Sequence, residues 1–167
     1  VEEVVAAVRA ACGPAFPLLV EINATDVEDT PGFLEDQIAL CRRLETLGVD
    51  AVEVSGHGFN TLRRQGPYFL PQTLAIRRAV SIPVLAVGGL RAPEEMEAVL
   101  GQGADFISLS RPFIAQPELM DDLRRGEKSK CVSCNSCYKI YRTQFKRCAL
   151  HRGEVPQLRA LFGEDTP

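Results

Sequence analysis

The chain has 167 residues with 19 basic and 22 acidic side chains, is 46% hydrophobic and 25% charged, and carries six cysteines and no tryptophan. That much apolar surface excludes a disordered chain, and the length fits about one domain. No apolar run approaches the ~20 residues of a spanning helix, and Glu2 and Glu3 exclude a basic leader. The expected compartment is therefore the cytoplasm, where cysteines act as free thiols or metal ligands.

The charge is uneven. Residues 1–123 hold 9 basic and 18 acidic groups, residues 124–152 hold 9 and 1, and residues 153–167 hold 1 and 3. Four of the six cysteines fall in the basic stretch. This shift divides the chain into residues 1–126, a cysteine-rich segment 127–152, and a C-terminal helix or tail 153–167.

Val4, Val5, Val8 and Cys12 recur at helical spacing until Gly13-Pro14 ends the pattern. Leu18–Ile22 reads as a strand ending at Asn23. Thr30-Pro31 opens a helix whose apolar face is Phe33, Leu34, Ile38, Leu40, Leu44 and Leu47, with Gly48 as its cap. Ala51–Ser55 is a second strand, followed by an irregular stretch from Gly56 to Pro71. A helix over 72–80 leads to the strand Val84–Val87, closed by Gly88-Gly89. A helix from Pro93 to Leu100 leads to the strand Phe106–Leu109, closed by Ser110-Arg111, and a last helix runs from Pro117 to near Gly126. Cys12 and Cys41 are expected as buried thiols on apolar helix faces.

Four strands alternating with helices make a parallel α/β sheet. Either a small open doubly wound sheet or half of an eight-stranded barrel fits. A whole barrel takes about 250 residues. Each strand ends in polar or glycine residues, at Asn23, Ser55-Gly56, Gly88-Gly89 and Ser110-Arg111, and barrel enzymes build their sites on that rim.

The segments 84–90 and 106–113, followed by Ile114–Leu119, resemble the last two strands and final helix of the old yellow enzyme family, FMN-dependent NAD(P)H:flavin oxidoreductases. Residues 49–56 resemble that family's sixth strand. The resemblance covers roughly residues 1–126 and implies strands five to eight of a TIM barrel. It implies hydride transfer from NAD(P)H through FMN to an activated alkene or similar acceptor, with the isolated chain inactive. It also implies that Gly88, Gly89, Ser110 and Arg111 hold the FMN phosphate. Glycines allow close backbone approach, Ser110 adds a hydroxyl, and Arg111 a forked cation. A tight turn and a salt bridge explain the same residues structurally.

Two departures stand out. Glu21 occupies the position where the family carries a flavin-facing Lys or Arg. The family's His/Asn or His/His pair and proton-donating Tyr belong to the first half of the barrel, and neither His57 nor His151 completes a constellation, so no catalytic residue is assigned. Tyr68 is expected to pack beneath its loop.

Cys131, Cys134, Cys137 and Cys148 form C-x2-C-x2-C-x10-C. Thiolates at such spacing converge on zinc or an iron–sulfur cluster. The four resemble the [4Fe-4S] segment that follows the barrel in 2,4-dienoyl-CoA reductase, with a spacing one residue shorter between the second and third cysteines. The resemblance therefore implies [4Fe-4S], with zinc as the alternative.

Lys128, Lys130, Lys139, Arg142, Lys146 and Arg147 surround this module, with only Tyr138, Tyr141 and Phe145 to stack on a base. Nucleic acid and membrane are not expected partners. The alternative function is a non-catalytic half-barrel that binds a phosphorylated ligand or a partner protein, with a zinc-stabilised tail. A half-barrel has unpaired edges near Leu18–Ile22 and Phe106–Leu109. Self-association, or docking with the missing N-terminal half, is expected to cover them.

Overall fold

The computed structural model describes residues 1–58, 66–140 and 148–150. His151, the tail over 153–167, and Tyr141, Arg142, Phe145, Lys146 and Arg147 lie outside the described residues. The described residues form two compact units, one within residues 1–90 with 94–108 and one within residues 91–93 with 109–150.

The first unit is the sheet. Its elements are α1 (Glu2–Cys12), β1 (Leu19–Asn23), α2 (Phe33–Thr46), β2 (Ala51–Ser55), α3 (Leu70–Arg77), β3 (Val84–Val87), α4 (Pro93–Gly101) and β4 (Phe106–Ser108). The strands pair in parallel in the unbroken order β1-β2-β3-β4. That order is the one expected of part of a barrel. Right-handed crossovers that always step to the next strand in the same direction place every helix on the same side. A doubly wound sheet reverses its order at a switch point and covers both faces. This sheet is singly wound, as a barrel wall is.

The register sorts the side chains accordingly. Val20, Ile22, Val52, Val54 and Val84 pack with Val5, Cys41, Leu44 and Ile76 of the helices in one core. The alternate residues, Leu19, Glu21, Glu53, Leu85 and Phe106, stand outside that core. Glu21 pairs in register with Glu53, Glu53 with Leu85, and Leu85 with Phe106. The two carboxylates that alternation alone leaves unassigned therefore share the face opposite the helical core. Leu19 and Phe106, on the two edge strands, are both 55% exposed.

Local chemistry explains the element ends. α1 carries Glu2 and Glu3 in its first turn and Arg9 in its last, each complementing the helix dipole. α2 ends in a Schellman turn, with the Gly48 N–H bonded to the Glu45 carbonyl and the Val49 N–H to that of Leu44. Gly48 takes φ +82°, which a glycine adopts without strain. α3 begins at Leu70, earlier than the pattern suggests, because Pro71 is tolerated in a first turn. The Thr73 hydroxyl donates to the Phe69 carbonyl at 2.8 Å.

Asp50 ties α1 to the start of β1. It accepts the Leu18 N–H and an Arg9 guanidinium N–H, both at 2.8 Å. These bonds hold its carboxyl below the usual aspartate range, the backbone bond first. Cys41 is fully buried, and burial pushes its thiol up to about 11. Cys12 corrects the expectation of a second buried thiol. It is exposed, because α1 buries only Val5 and Cys12 is the residue that closes the helix beside Gly13.

The second unit holds α5 (Arg111–Ala115), α6 (Leu119–Arg124) and α7 (Ser136–Ile140). The single helix expected from Pro117 is preceded by α5, a five-residue turn opened by Ser110, whose carbonyl accepts the N–H groups of Phe113 and Ile114. Such a short helix leaves no periodicity to detect. Among the described residues, no helix is long and apolar enough to cross a membrane.

Candidate functional site

Gly88 and Gly89 follow β3 in the sheet unit. Both take positive φ, +96° and +82°. The Tyr68 N–H donates to the Gly88 carbonyl at 3.2 Å. A β-carbon on Gly88 would lie 2.9 Å from the Tyr68 ring, and one on Gly89 would overlap the Gly66 carbonyl. Glycine is thus required here by the seating of residues 66–68, independently of any ligand. Gly56 behaves alike, since a β-carbon there would overlap the Thr25 hydroxyl and press on Phe69. Phe69 is buried and meets Tyr68 edge-on, with ring centroids 6.1 Å apart. Tyr68 is half-buried against this glycine pair, consistent with its expected packing role. His57 is exposed, and its backbone N–H bonds to the Thr25 carbonyl at 3.2 Å.

On the face opposite the helical core, Glu53 accepts a hydrogen bond from Ser108. Burial, with a smaller contribution from neighbouring Glu21, nevertheless pushes its carboxyl above the usual glutamate range. Two carboxylates on adjacent strands repel an anion, and this is the face where the family resemblance implies a cation.

Ser110 and Arg111 open the second unit, Arg111 as the first residue of α5. The Arg111 guanidinium donates through Nη1 to Oδ1 of Asn135. Asn135 is 5% exposed and left-handed, at φ +60°. Ser133, also buried, takes φ +54°. These two residues fold the chain between Cys131 and Cys137 back on itself.

Cys131, Cys134, Cys137 and Cys148 then line one cavity together with Arg111 and Asn135. Cys137 is buried; its thiol is pushed up by desolvation and by the neighbouring Cys131 and Cys134, while Arg111 opposes the rise. Among the described residues, no three His, Cys, Asp or Glu side chains stand in metal-holding geometry. The four cysteines nevertheless share one cavity.

A buried polar latch anchors the segment. Gln116 accepts from the Ser129 hydroxyl at 3.1 Å and from the Lys130 N–H, and its amide donates to Asp122 at 2.6 Å. The Ser129 hydroxyl accepts the Cys131 N–H at 3.1 Å, and the Ser129 N–H donates to the Arg91 carbonyl at 2.8 Å. Sequence reasoning missed Asn135 and Gln116. Both are isolated polar residues with no periodic signature.

Comparison with known proteins adds the relationship. The family model for dihydrouridine synthase (Dus) matches residues 1–162. A metal reductase of Desulforamulus reducens is 34% identical over 143 residues, covering 80% of this chain and 21% of that protein. An NADH oxidase of Thermoanaerobacter brockii is 26% identical over 163 residues, covering 89% and 25%. An NADH-dependent flavin oxidoreductase of a Neonectria species is 30% identical over 139 residues, covering 71% and 18%. The chain spans a quarter or less of the length of these three relatives. The parallel four-stranded α/β sheet, wound to one side, agrees with part of the TIM barrel of the matched family. The chain belongs to the dihydrouridine synthase family.

Proposed function

We propose that this chain is the phosphate-holding part, strands five to eight, of a TIM-barrel flavin oxidoreductase of the old-yellow-enzyme type. The carrying observation is the singly wound parallel sheet in a chain that matches a flavin-enzyme family along nearly its whole length. The relatives named as an NADH oxidase and an NADH-dependent flavin oxidoreductase support NAD(P)H as the electron source.

The donor types suit FMN. Gly88 and Gly89 offer a backbone with no β-carbon, Ser110 a hydroxyl, and Arg111 a guanidinium whose orientation is set by a hydrogen bond. FMN, when bound, supplies hydride transfer from NAD(P)H to an acceptor, here an activated alkene or a similar electrophile. The residues of this chain bind and orient the phosphate. Glu21 and Glu53 add negative charge to the face opposite the helical core, so the cation that stabilises a reduced flavin does not come from that position.

The same reading assigns Cys131, Cys134, Cys137 and Cys148 to a metal centre, [4Fe-4S] in preference to zinc. Four thiols around one cavity form the donor set for either.

The test is a flavin-fluorescence titration with FMN on the full chain. Arg111→Ala is expected to weaken binding by about 10- to 100-fold, the loss of one charge-assisted hydrogen bond at ~1.5–3 kcal/mol. Unchanged affinity refutes the phosphate assignment. Metal analysis after anaerobic purification decides the second part, because neither iron nor zinc near one centre per chain means plain thiols.

A further inference from the structure

We propose that Asn135 is a positioning residue for Arg111, so that the cysteine loop sets how strongly the protein discriminates a phosphorylated flavin from an unphosphorylated one. This rests on the reading that Arg111 meets the FMN phosphate. Three observations carry it. The Arg111 guanidinium donates to Oδ1 of Asn135. Asn135 is almost fully buried, and its loop is fastened at the other end by the Gln116–Ser129–Cys131 bonds. Asn135 also occupies a left-handed position between Cys134 and Cys137, a conformation that asparagine tolerates better than most residues.

The physical consequence follows from side-chain entropy. An arginine that swings freely must be ordered when it meets an anion, and that ordering weakens binding. A neutral acceptor on one nitrogen fixes the plane of the fork while leaving its full positive charge for the ligand. An aspartate at 135 would fix it equally well but cancel the charge. Asparagine is the residue that does the first without the second.

The experiment measures dissociation constants of FMN and of riboflavin, which lacks the phosphate, on the full chain. Glycine keeps the left-handed backbone, so Asn135→Gly removes the acceptor without straining the turn. It is expected to weaken FMN binding about three- to tenfold and to leave riboflavin unchanged. Asn135→Asp is expected to lower the FMN-to-riboflavin preference as well, although it preserves the hydrogen bond. In an Arg111→Ala background, Asn135→Gly is expected to have no further effect.

A loop that acts only as structural support predicts otherwise. Equal losses for FMN and riboflavin in Asn135→Gly, or additivity with Arg111→Ala, overturn the inference. If Arg111→Ala itself leaves the FMN-to-riboflavin ratio unchanged, the phosphate assignment falls first and the inference falls with it. A reduced ratio in Arg111→Ala with a wild-type ratio in Asn135→Gly overturns the inference alone.

Discussion

Replacing Gly89 with alanine separates backbone strain from steric overlap. Gly89 sits at φ +82° and the left-handed Gly32 at φ +83°, where a β-carbon costs about 1–2 kcal/mol in backbone strain. Around Gly32 there is nothing within 4 Å of the added carbon, whereas at Gly89 it overlaps the Gly66 carbonyl and lies 2.8 Å from the Tyr68 ring. Relief requires residues 66–68 to move, which breaks the Tyr68 N–H bond to the Gly88 carbonyl, a further ~0.5–1.5 kcal/mol. Gly89→Ala is therefore expected to destabilise the fold by about 2–3 kcal/mol and Gly32→Ala by the strain alone. Urea unfolding of the two variants reads the difference as a gap of several tenths of a molar or more between midpoints. Equal midpoints would refute the claim that residues 66–68 are seated on this turn. The result also bears on flavin binding, because a weakened Gly89→Ala variant is by itself no proof of a phosphate contact.

Three further outcomes are expected. Because the Glu53 carboxyl is raised, folding is favoured at pH values where it is protonated, and that contribution fades as pH rises through its folded value. Glu53→Gln is then expected to be more stable than wild type at neutral pH, with the advantage gone at acid pH, as thermal melts across pH would show. Asp50 has the opposite sign: its lowered carboxyl stabilises above the ordinary aspartate range and loses this as pH falls through the folded value. Asp50→Asn is expected to unfold at lower urea at neutral pH, with the gap to wild type closing in acid. In thiol titration, exposed Cys12 reacts promptly in the native protein, while Cys41, fully buried with a raised thiol, reacts only on unfolding.

The βα repeat and the positions of all four strands were legible in the sequence, because strand alternation and helix periodicity leave repeated signals. The choice between barrel wall and doubly wound sheet was not, since both use the same units; it depends on strand order, which is a long-range property. The orientation of Glu21 and Glu53 was hidden for a related reason: in a strand such as Ala51–Ser55, apolar residues lie on both faces. Cys12 was misjudged because helical spacing marks a face without stating how much of the helix is covered. At the candidate site, residue type and spacing pointed to Arg111 and the four cysteines. The bond between Arg111 and Asn135 joins residues 24 positions apart through single polar atoms, and no local pattern encodes it.

The unbroken strand order also shapes how the sheet is made. Leu19 meets Ala51, Val52 meets Val84, and Leu85 meets Phe106, so every pairing joins a strand to its immediate successor in the chain. Each new βα unit emerging from the ribosome can dock on the one just completed, with no long loop to close. Growth by accretion keeps contact order low, with β1 as one edge throughout and the newest strand as the other at each stage of synthesis.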